Sequence, residues 1–65
     1  MKIRINGEQQ QVESCTLHDL LEHLGHGANS VATAVNQEFV PIGKRSKFEL
    51  SDDDAVDIIA PMSGG

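Results

Sequence analysis

Four leucines decide most of what this chain can become. Leu17, Leu20, Leu21 and Leu24 recur at i, i+3, i+4 and i+7, which puts them along one side of a short helix. Thr16-Leu17-His18-Asp19 in front of them fits a capping box, with Thr16 as N-cap and Asp19 supporting the first turn. Gly25 suits the residue that stops the helix. The remaining sequence must cover that apolar stripe, and it reads as strands.

Lys2 to Asn6 alternates polar and apolar, so Ile3 and Ile5 share one strand face. Asn6-Gly7 supplies the pair of residues that a tight hairpin needs, because both positions take positive φ. The return strand, about Gln9 to Glu13, carries Val12 and little other apolar matter, as an edge strand would. After the helix, Gly27, Asn29 and Ser30 predict a loop and Val31 to Asn36 a third strand. Phe39-Val40-Pro41 extends or borders that strand, with Pro41 favouring an edge or an exit from the ladder. Lys44 to Lys47 reads as a basic loop, Phe48 to Leu50 as a short strand, and Ser51-Asp52-Asp53-Asp54 as a turn. Ala55 to Ala60 is the last strand, followed by a flexible tail over residues 61–65. The order predicts an α+β fold of the β-grasp type. A mixed sheet of four to five strands, residues 1–60, packs on one main helix. The leucine stripe is expected against Ile3, Ile5, Val12, Val56 and Ile58.

Charge and size exclude several functions. Ten Asp and Glu against five Lys and Arg give a net charge of -5. Nucleic acid and anionic membranes both call for a basic footprint, so neither is expected as a partner. Two Phe and no Trp or Tyr leave no platform for stacking bases. The first seven residues hold no apolar signal core, and no run approaches membrane-spanning length. A chain of 65 residues buries only about 60% of its unfolded surface. It has one cysteine, so no disulfide framework can reinforce it. These features predict a small acidic domain of the cytoplasm.

Reactive side chains are few. Cys15 precedes the N-cap and can pack on Leu20 as a hydrophobic staple. The competing role, an activated thiol at a helix N-terminus, is opposed by Glu13 and Asp19 and has no second cysteine to resolve it. His18, His23 and His26 are spaced by five and three, not by the four of a helical zinc pair, so no metal site is expected. Asp52-Asp53-Asp54 lacks the calcium-loop spacing and fits a turn. A Ser-His-Asp triad would need a pocket of about 300 Å³ or more, for which so short a chain leaves little room. An enzyme acting alone is not expected. What remains is Pro61-Met62-Ser63-Gly64-Gly65. A glycine end by itself is a weak signal, since chain ends commonly fray. Directly after the last strand of a β-grasp it gains weight. Glycines without side chains can enter a narrow channel, and the residues after Pro61 reach ~13 Å.

Ala34-Val35-Asn36 with Phe39-Val40-Pro41, and the run from Asp54 through Ile58-Ile59-Ala60-Pro61-Met62-Ser63-Gly64-Gly65, resemble the ThiS family, the sulfur carriers of thiamine biosynthesis. The resemblance covers the whole chain and is most specific in its second half. It departs at Asp53, where the family pattern has glycine in an Asp-Gly-Asp turn. It implies a ubiquitin-like fold and a carrier that is a cosubstrate and not an enzyme. Gly65 would be adenylated and then converted to a thiocarboxylate. The chain would bind no cofactor, since ATP is used by the partner, an adenylyltransferase of the ubiquitin-activating type. A cysteine desulfurase or sulfurtransferase relay would supply sulfur, and thiazole synthase would consume it. The carrier alone would be a monomer. Pro61, Met62, Ser63 and Gly64 would contact partners. On the last strand Val56, Ile58 and Ala60 should face inward. Ile59 then faces out, near Phe39 if the third strand pairs nearby, as a contact for the adenylyltransferase. Two alternatives share the fold and the Gly-Gly end: the small subunit of molybdopterin synthase or a related sulfur carrier, and a ubiquitin-like protein modifier. The short length and the Phe-Val-Pro and Pro-Met-x-Gly-Gly segments weigh against the molybdopterin reading.

Overall fold

A computed structural model describes residues 1–13, 15–26 and 31–60. The predicted loop at Gly27, Asn29 and Ser30, and the tail of residues 61–65, lie outside the described residues. Strand β1 (Lys2–Ile5) turns into β2 (Glu8–Gln11), then helix α1 (Leu17–His23), β3 (Ala32–Val35), β4 (Glu38–Val40), a 3₁₀ helix (Ile42–Lys47) and β5 (Ala55–Ile59). The five strands form one sheet in the order β2-β1-β5-β3-β4. The central pair, β1 and β5, is parallel, and the other pairs are antiparallel. This is the β-grasp arrangement, with the crossover from β1 to β5 enclosing the helix.

Local chemistry explains each element. At the β1–β2 turn Asn6 and Gly7 have φ of 51° and 86°, so the two-residue loop has the predicted hand. In α1 the capping box is complete: Asp19 N donates to Thr16 Oγ1 at 3.2 Å, and Thr16 N to Asp19 Oδ2 at 3.4 Å. At the other end Gly25 takes φ of 85°, and His26 N and Gly25 N donate to the carbonyls of Leu21 and Glu22. That pair of bonds is a Schellman closure. Two turns of helix are marginal in isolation, so burial of Leu17, Leu20 and Leu21 holds α1 in place. Leu17 and Leu20 join Ile3, Ile5, Val35, Val40, Leu50 and Val56 in one core, with Val12, Leu24 and Ile58 packed at its margin.

Of two alternatives for one segment the structure selects one, and three expectations need correction. Phe39-Val40-Pro41 borders the third strand and does not extend it, with Pro41 at the exit from the ladder. Asn36 and Gln37, at φ of 53° and 71°, reverse the chain, and Glu38–Val40 returns as a separate edge strand. Lys44 to Lys47 is not a loop but the body of the 3₁₀ helix, and Arg45 points inward, only 2% exposed. Its Nε donates to Thr33 Oγ1 at 3.1 Å and a terminal nitrogen to the Val31 carbonyl at 2.6 Å. Thr33 Oγ1 in turn donates to the Val40 carbonyl at 3.0 Å, so the guanidinium ties three segments together. Phe48 to Leu50 makes only a single bridge, Thr16 to Glu49, because its partner strand bends at once into α1. Ala60 is exposed instead of inward, since β5 ends at Ile59.

The acidic turn is a structural joint. Asp52 Oδ1 accepts from Lys2 N at 2.8 Å and Asp54 Oδ2 from Ser51 N at 2.8 Å. Asn36 Nδ2 donates to Asp54 Oδ1 at 3.0 Å, which locks this turn to the β3–β4 turn. Asp53 has φ of 69°, a conformation that glycine adopts at less cost.

Candidate functional site: the outer face of the sheet

The helix covers one face of the sheet and leaves the other open. Pairing along β3 decides what that open face displays. Ala34 stands opposite Phe39 on β4 and opposite Asp57 on β5, while Ala32 stands opposite Ile59. Alternation sends Val35, Val40, Val56 and Thr33 inward, all buried, so Phe39, Ala34, Asp57, Ala32 and Ile59 share the outer face. Phe39 is 69% exposed and Ile59 59% exposed. Two strand spacings across and two residues along, together roughly 12 Å, separate them, and the methyl groups of Ala32 and Ala34 form a low floor between. Single exposed apolar side chains are ordinary on a protein surface. Two large ones flanking small residues on one face form a patch into which a partner's side chain can settle.

The sequence put Ile59 outward and near Phe39 if the third strand paired nearby; β3 does pair with β5, and the two residues share one face on either side of β3. Ala32 and Ala34 escaped notice because they carry no chemistry of their own. The Asn36-Gln37 pair between two apolar runs was the signal for the hairpin that presents Phe39. Ile59 lies one residue before Ala60, so the patch sits at the root of the segment 61–65. Pro61, Met62, Ser63, Gly64 and Gly65 themselves are outside the described residues.

The other candidates stand elsewhere. Cys15 is half-buried, packed against the core beside Leu20, and lines a groove of about 570 Å³ with Val12, Glu13, Asp19 and His23. The chain thus holds more open space than its length suggests, because α1 leaves β2 uncovered. Burial first, then the negative charges of Asp19 and Glu13, push the Cys15 thiol above its ordinary pKa. That makes it a poor nucleophile and favours the staple role. His18 Nε2 lies 3.1 Å from Glu22 Oε1 on the helix surface. Among the described residues no three His, Cys, Asp or Glu side chains gather as a metal site, and no helix is long and apolar enough to cross a membrane.

Comparison with known proteins adds the family. The ThiS family model matches residues 3–65. A thiazole synthase of Paramagnetospirillum magneticum is 36% identical over 66 residues, covering 100% of this chain but only 20% of that protein. The sulfur carrier protein ThiS of Thermus thermophilus is 36% identical over 61 residues, covering 94% of this chain and 95% of the carrier. The crystal structure of a thiamine biosynthesis protein (ThiS) from Geobacter metallireducens superposes with a TM-score of 0.85 at 29% identity, over 100% of both chains. Its solution structure gives 0.84 at 29% identity, over 100% of this chain and 88% of that one.

Proposed function

This chain belongs to the ThiS family of sulfur carriers in thiamine biosynthesis, and within that role we propose that Gly65 is the residue on which sulfur is loaded. The family match, which runs through residues 61–65 to Gly65, is the observation that carries this reading. A terminal carboxylate, with a pKa of about 3.3–3.7, is ionised and unreactive toward nucleophiles at neutral pH. An adenylyltransferase therefore transfers AMP from ATP to it, releasing pyrophosphate. The outer sulfur of a persulfide on a cysteine desulfurase or sulfurtransferase relay then attacks the acyl carbon and expels AMP. A second thiol of the relay cleaves the resulting acyl disulfide, itself ending in a disulfide. The product is a thiocarboxylate, whose sulfur thiazole synthase consumes. The chain supplies address and reach as a cosubstrate, binds no cofactor of its own, and works in the cytoplasm. A relative that is itself a thiazole synthase supports the last partner.

The outer patch gives the adenylyltransferase a surface to hold. Phe39 and Ile59 anchor the contact, and Pro61, Met62, Ser63 and Gly64 continue from it into the active site. Gly64 keeps that approach narrow, because a branched side chain restricts φ and ψ and adds width. Gly64→Val should keep the circular dichroism spectrum and melting temperature yet lose ATP–pyrophosphate exchange with the adenylyltransferase. Deleting Gly65 should do the same. Full thiocarboxylate formation in protein lacking both glycines, seen as an oxygen-for-sulfur mass shift, sinks the reading.

A further inference from the structure

The 3₁₀ helix carries three of the five basic residues of the chain within four positions, Lys44, Arg45 and Lys47. Arg45 is buried, whereas Lys44 and Lys47 are exposed. With three residues per turn, positions 44 and 47 eclipse each other, so both ammonium groups project from one side. Among the described residues neither has a carboxylate within ion-pair distance, in a chain with ten acidic side chains. The two lysines, Gly43 and Phe48 line a recess of about 370 Å³. Half-buried Phe48 gives the recess an apolar part, which a small inorganic anion could not use. An apolar side chain flanked by carboxylates fills both parts of it.

The recess follows the strand that carries Phe39. From Phe39 the chain passes through exposed Pro41 to Ile42, which is 48% exposed, and then into the lysine-bearing turn. Exposed Pro41 and Ile42 therefore lie in the chain between Phe39 and the two unpaired cations. We infer that Lys44, Lys47 and the Phe48 recess form a second contact for the adenylyltransferase, receiving an acidic segment of that enzyme with an apolar anchor. This rests on the function proposed above. With Arg45 buried, the exposed basic residues are Lys44 and Lys47 on the 3₁₀ helix and Lys2 and Arg4 on β1, so the lysine pair is one of two cationic spots that can orient an acidic partner on an acidic carrier.

Charge and shape can be tested separately. Gly43 has ordinary φ, and a Cβ there would meet nothing within 4 Å, so Gly43→Leu fits the fold while adding bulk to the lining of the recess. Binding of the carrier to the purified adenylyltransferase is measured by calorimetry at about 0.05 M and about 0.5 M salt. Lys44→Glu/Lys47→Glu should weaken binding at least about fivefold at low salt, with the difference shrinking at high salt. Gly43→Leu should weaken it at both salt concentrations, and Lys44→Arg/Lys47→Arg should retain it. Unchanged affinity and salt dependence in the Glu pair, with wild-type binding intact, overturns this inference alone. Failure of the wild-type chain to bind overturns it together with the function on which it rests. Binding of inorganic phosphate to the carrier alone, abolished in the Glu pair, reassigns the lysines to a small anion and also overturns it.

Discussion

Cys15 and Arg45 show how differently two polar side chains can be used at one scale. Cys15 sits where the helix N-terminus could activate a thiol, but its surroundings raise its pKa from an ordinary value of 9.0. A raised acid is protonated more readily in the fold than in the unfolded chain. Its contribution is therefore complete below the unfolded pKa and lost as pH climbs through the folded one. Wild type should lose stability relative to Cys15→Ala only as pH rises past that ordinary value of 9.0, measured by urea titration across that window. At neutral pH the same variant should cost about 0.5–1 kcal/mol and leave sulfur transfer intact. Loss of transfer in a folded variant would make Cys15 a relay thiol instead. Arg45 does structural work with a charged head. Arg45→Met keeps the apolar stem but strips donors from the Val31 carbonyl and Thr33 Oγ1. Leaving buried acceptors short costs about 2–3 kcal/mol, a large share of the ~3–5 kcal/mol that so small a core supplies. A urea midpoint within error of wild type refutes that bridging role.

Among the elements, the two hairpins are the instructive pair. Both use a two-residue loop with positive φ at each position, yet only the first has glycine in the second place. Gln37 holds φ of 71° with a side chain, at a cost of about 1 kcal/mol. Gln37→Gly should therefore raise stability by about 0.5–1 kcal/mol, less the entropy that glycine adds to the unfolded chain. A lowered melting temperature would mean that the Gln37 side chain makes a compensating contact. The hairpin has a functional consequence as well, because it turns Phe39 onto the same face as Ile59. A one-residue slip there would send Phe39 toward the core and Val40 to solvent.

For the whole molecule, the sheet divides labour between its faces: one buries the helix and the other is open to a partner. Phe39→Ala and Ile59→Ala should each weaken adenylyltransferase binding by about 2 kcal/mol while leaving the melting temperature nearly unchanged. Unaltered affinity by calorimetry in both variants would move the docking surface elsewhere. The helix, its caps, the first hairpin and the outward turn of Ile59 were legible in the sequence. Each depends on residues within about seven positions of one another, where side-chain periodicity and backbone preference act directly. The ThiS resemblance was likewise carried by contiguous segments, and Asp53 stood out locally where its positive φ now explains the expectation of glycine. Pairing between distant strands decided the rest. It set Ala32 and Ala34 as the floor between Phe39 and Ile59, and turned Arg45 inward to Val31 and Thr33. It also confined Phe48 to Leu50 to a single bridge. Contacts of this kind join residues far apart in the chain, and no local pattern encodes which of several polar or small side chains will meet across a sheet.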